Sequence, residues 1–102
     1  MLQRIIPILR ARPAPPAWLP TRLVGQPEHV ERVRAALEVA VASGLGHTPA
    51  GWLRELRLEG GEAFVTVAPG LGLDSLGSAE IAFDTLRRLL PDTDIFVGQA
   101  RT

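Results

Sequence analysis

The chain has 102 residues, 46% of them hydrophobic, which sets the scale at one small domain with a modest core. It has no Cys, and this excludes disulfides and any thiolate-ligated zinc or iron-sulfur centre of its own. Eleven basic and eleven acidic residues cancel, but Arg4, Arg10, Arg12 and Arg22 all precede the first carboxylate, Glu28, so the body that follows is acidic and lacks the positive stripe a nucleic-acid surface needs.

Residues 1–26 read as a proline-rich arm. Gln3 to Leu9 has the pattern of a short strand, and the apolar run Ile5 to Leu9, broken by Pro7, is too short to cross a bilayer or to form a signal-peptide core. A cytoplasmic protein without a membrane partner is the expectation. In ARPAPPAWLP, Pro13, Pro15, Pro16 and Pro20 disfavour helix and regular sheet. Trp18 within that stretch serves either as a recognition residue or as a cover folded back on the core.

Residues 27–102 read as the domain. Pro27 suits a first helical turn, with Glu28 and Glu31 near the positive end of the helix dipole. Val30, Val33, Leu37, Ala40 and Val41 then form an apolar face to about Ala42, opposed by Glu31, Arg34 and Glu38. The run SGLGHTPAG stops this helix. Trp52 to Glu59 alternates as a strand, with Trp52, Leu56 and Leu58 on one face. Ala63 to Ala68 is its antiparallel mate, with Val65 and Val67 opposite Phe64 and Thr66. Gly60-Gly61 between them suits a two-residue hairpin turn.

The loop APGLGLDSLGS follows, with Gly70, Gly72 and Gly77 in nine residues. Asp74, Ser75 or Ser78 is placed to cap a second helix, whose expected buried stripe is Leu76, Ala79, Phe83, Leu86 and Leu90. Pro91-Asp92 ends it, and Asp94 to Gly98 forms a last strand. The order α-β-β-α-β predicts a small single α/β domain with its helices on one face of a small mixed sheet. The last strand should lie parallel to a hairpin strand, entered by a right-handed crossover.

The chemical inventory is thin. His29 stands in a helix first turn, where solvent exposure or capping explains it. His47 sits in the SGLGHTPAG loop, and neither histidine has the HxxxH or HxH spacing of a metal site, so no cofactor is assigned. Ser75 and Ser78 open a helix where an anion could meet free N–H groups, yet the stretch fits neither the lysine-bearing phosphate loop nor G-x-G-x-x-G. Asp74 has no acid or base partner nearby in sequence. Arg87 and Arg88 complement a helix C-terminus.

The succession Val33-Arg34-Ala35-Ala36-Leu37, LRELRLEGGEAFVTVAPGLG, SLGSAEIAFDTLRRLL and DIFV, over roughly residues 30–97, resembles the small iron-sulfur-assembly domain of the MIP18-like family and of the N-terminal region of Mrp-type carrier ATPases, with the C-terminal NifU domain a more distant relative. Two departures bear on mechanism. SGLGHTP, residues 43–49, stands where the family has a DPE-type turn. Leucines and glycines occupy Gly70 to Leu73, where the family carries its functional cysteine. Without that thiolate, direct cluster ligation has no chemical basis. The resemblance implies a degenerate, non-catalytic protein-interaction or assembly-factor module, meeting a protein partner through the loop Gly70, Leu71, Gly72, Leu73, Asp74 or through Trp18. The alternative is a ligand-binding protein or small enzyme built on the glycine-rich loop, Ser75 or Ser78, and His47. An unpaired sheet edge is also compatible with a homodimer.

Overall fold

A computed structural model describes residues 20–70 and 72–100. The strand expected over Gln3 to Leu9 lies outside these residues. Within them the elements are β1 (Arg22–Gly25), α1 (Pro27–Leu45), β2 (Leu53–Glu59), β3 (Glu62–Val67), α2 (Leu73–Leu89) and β4 (Asp94–Gln99). The fold is a small α/β domain with both helices on one face of a mixed four-stranded sheet. The order gains one strand over the expected α-β-β-α-β. Arg22–Gly25, assigned from sequence to the arm, pairs in parallel with β2, and Thr21 Oγ1 donates to the Leu53 carbonyl at 2.9 Å to extend the seam.

The strand order is β1-β2-β3-β4, with β2 and β3 antiparallel and both outer strands parallel to their neighbours. The crossovers β1-α1-β2 and β3-α2-β4 step the same way across the sheet, along strand pairs of opposite direction, over the same face. Two such crossovers have opposite hands. Only one of them can follow the usual right-handed rule.

Local chemistry accounts for the boundaries. Pro27 opens α1, and the Gln26 side chain caps it by accepting from the His29 backbone N–H at 2.9 Å. Gly46, in the left-handed region, closes it three residues later than the sequence suggests. Gly60 and Gly61 both take positive φ in the tight turn joining β2 and β3. A bulge between Leu53 and Glu55 shifts the alternation of β2, so Leu53 joins Leu56 and Leu58 on the buried face.

The core is Val30, Val33, Leu37 and Val41 of α1 against Leu53, Leu56, Leu58, Ala63, Val65 and Val67 of the sheet, closed by Ala82 and Leu86 of α2 and by Trp52. The stripe expected on α2 is rotated. Leu86 is buried and Ala79 and Leu90 pack against the core as expected, but the other buried side chains are Ser78, Ala82 and Thr85, whereas Leu76 is half exposed and Phe83 partly so. Close helix packing explains the choice. Ideal Cβ positions at Gly44 and Gly77 would fall 2.5 Å from Ile81 Cδ1 and 2.8 Å from Leu45 Cδ2, so each glycine makes room for a bulky side chain of the other helix in the α1–α2 seam.

Candidate functional site

Two regions of the surface carry chemistry. The first lies where the α1–β2 loop, the β3–α2 loop and the end of β4 meet. There His47 Nε2 and Asp74 Oδ2 stand 3.1 Å apart, a pair of candidates 27 residues apart in sequence that the fold brings together. The Gln99 side-chain amide donates to the Gly70 carbonyl at 2.5 Å and ties the glycine loop to β4. Gly72, not a side chain, occupies the N-cap position of α2, so neither Asp74 nor either serine caps the helix. Ser75 Oγ donates to the Pro69 carbonyl at 3.3 Å, and Ser78 Oγ donates to the Asp74 carbonyl at 2.6 Å. Both hydroxyl protons are thus engaged by backbone carbonyls. Leu71 and Trp18 lie outside the described residues.

The hydrogen bond to Asp74, together with its negative charge, raises the His47 pKa above the ordinary imidazole value. Protonation of His47 therefore favours the folded state. That contribution is complete below the ordinary imidazole pKa and is lost as pH rises through the raised one. In a titration followed by NMR, the His47 ring resonances should give a pKa above that of His47 in Asp74→Asn. Equal values in the two proteins would mean that the pair does not form in solution. The pair has an acid–base group and its orienting carboxylate, but among the described residues no hydroxyl is hydrogen-bonded to the imidazole. Both side chains are about half exposed, and neither lines any of the principal clefts among the described residues.

The second region is apolar and runs along α2 and β4. Leu73, 88% exposed, opens α2, and Leu76 at 51% and Phe83 follow on the same helix, these two beside the outer strand. Leu76, Ala79, Glu80 and Phe83 face Ile95, Phe96 and Val97 across an open groove. On the sheet face away from the helices, Arg57, Phe64 and Phe96 are register partners on β2, β3 and β4. The two phenyl rings stack with centroids 4.9 Å apart, and the Arg57 guanidinium lies 5.2 Å over Phe64. Phe96, 47% exposed, joins this row to the groove. Single exposed apolar residues are ordinary, whereas a contiguous set on one helix and the adjoining strand is the pattern that a binding surface would require.

Sequence reasoning names Leu73 and misses Leu76, Phe83 and Phe96. A signal for them does exist. Leu73, Leu76, Ala79, Ile81, Ala82, Phe83, Leu86, Leu89 and Leu90 are more apolar positions than one helix face can bury.

No family model matches the chain, and no curated protein or solved structure gives a match. Among the described residues no group of three or more His, Asp or Glu side chains is arranged to hold a metal ion, and no helix is long and apolar enough to cross a membrane.

Proposed function

We propose that the domain is a non-catalytic protein-interaction module, and that it receives an extended apolar segment of a protein partner on the α2–β4 face. The exposed residues Leu73, Leu76 and Phe83 of α2, with Phe96 on β4, the outermost strand among the described residues, are the observation that carries this reading. An incoming strand gains backbone hydrogen bonds from β4, and its alternate side chains gain apolar contacts with α2. The role fits an assembly-factor module of the iron-sulfur kind in layout, as a scaffold that offers no thiolate.

Panning displayed nine-residue peptides against the folded protein should enrich alternating apolar sequences, and Leu76→Asp with Phe83→Asp should abolish the enrichment. Failure to enrich any sequence on the intact protein would count against the reading.

A second reading has its own observation. The His47–Asp74 pair beside the glycine loop supports a small-ligand site, with the protonated imidazole offering a donor to an anion. Among the described residues no principal cleft encloses it, which places it second.

A further inference from the structure

We infer that the groove between α1 and α2, lined by helix residues alone, is a binding site for a small apolar carboxylate, whose acid group is held by Arg88 and Thr85. The site is separate from the α2–β4 face, and the two readings stand or fall independently.

Helical spacing creates the groove. Ala36, Val39, Ala40 and Ser43 recur at intervals of three, one and three residues as a stripe along α1, while Val30, Val33, Leu37 and Val41 of the same helix are taken into the core. Thr85, Arg88 and Leu89 of α2 form the facing wall, across a space of about 540 Å³. That volume lies within the roughly 300–1,000 Å³ that small-molecule sites occupy. The α1 wall is built mainly of short side chains, which leave a trough where leucines would fill it. Val39 and Leu89, both exposed, are its apolar rims.

The polar groups select the ligand. Thr85 is 5% exposed, and its hydroxyl has no hydrogen-bond partner among the described residues. A buried hydroxyl normally has one, and this exception beside a groove points to a group supplied from outside. Threonine in a helix divides between two χ1 wells, and exchange of its methyl for its hydroxyl turns the donor to the groove. Arg88 follows Thr85 at i+3, close enough for both to meet one ligand group. Its Nε donates to the Asp84 carbonyl of its own helix at 3.4 Å, and it forms no ion pair among the described residues. No carboxylate lines the groove. A guanidinium and a hydroxyl complement a carboxylate, and the Ala, Val and Leu walls complement a hydrocarbon body. A neutral apolar molecule would leave Arg88 unanswered, and a polyanion would find one lining cation and little polar wall.

Titration of the full chain with octanoate and with octanol, followed by amide NMR, tests this. Octanoate should bind saturably, with shifts centred on Ala36, Ala40, Ser43 and Thr85, and about tenfold or more tighter than octanol. Arg88→Gln should abolish that preference. Thr85→Val should weaken octanoate binding about threefold or more, yet leave the urea stability of the free protein equal or higher, because a methyl replaces an unpaired hydroxyl. Absence of saturation in the millimolar range would overturn the inference, as would equal affinity for octanol or a preference that survives Arg88→Gln. So would shifts centred instead on Leu76, Phe83 and Ile95. A Thr85→Val protein less stable than the natural chain, or one that binds octanoate equally well, would also overturn it, since the hydroxyl would then be engaged within the fold or play no part in binding.

Discussion

Gly25→Ala is expected to lower the stability of the domain by about 2–4 kcal/mol, a large effect for the addition of one methyl group. Gly25 ends β1 at a φ of 139°, a conformation that L side chains rarely adopt. It also leaves no room for a side chain, since an ideal Cβ would sit 2.6 Å from the Leu58 carbonyl oxygen, a backbone atom held in the central sheet. The two costs are independent. Relieving the clash requires β1 to move off β2, which would strip the Arg22–Gly25 seam and the entry to α1 immediately behind it. Urea denaturation measures the effect directly. A loss below about 1 kcal/mol would mean that β1 does not hold its parallel register against β2 in solution.

Leu56→Ala should cost about 2–5 kcal/mol, because Leu56 is fully buried at the centre of β2 and its removal leaves a cavity between the sheet and the helices. Leu76→Ala is the informative control. By helical spacing alone Leu76 ranks as a core residue of α2. With Leu76 half exposed, its truncation should change stability by no more than about 0.5 kcal/mol. Comparable losses at both sites in thermal or urea unfolding would contradict the orientation of α2 and, with it, the apolar face assigned to docking.

Much of the fold is legible because each element carries a local signal. Pro27 and the spacing of Val30, Val33, Leu37 and Val41 define α1, and Gly60-Gly61 between alternating segments defines the hairpin. Three features escape for physical reasons. β1 is only four residues long and follows a proline-rich stretch, so nothing local separates it from the arm; its strand character comes from pairing with β2. The α2 rotation is set by the α1 surface it meets, where Gly44 and Gly77 admit Ile81 and Leu45, and a single helix pattern contains no information about its neighbour. The bulge at Leu53 to Glu55 shifts one side chain into the core without changing composition.

The candidate sites divide in the same way. His47 and Asp74 are recognisable separately as loop residues with titratable groups, but their 3.1 Å approach depends on the α1–β2 loop folding over the start of α2. Leu73 is recognisable as a tip residue. Its continuation into Leu76, Phe83 and Phe96 requires knowing both which way α2 faces and that β4 is the outer strand.

Calorimetric titration of a panned apolar peptide into three folded proteins tests the central claim most directly: the natural chain, Leu76→Asp with Phe83→Asp, and His47→Ala. The docking account predicts binding to the natural chain and to His47→Ala, with loss only in the doubly substituted α2 protein. Binding that survives both α2 substitutions but disappears in His47→Ala would contradict it and assign the function to the glycine-loop site.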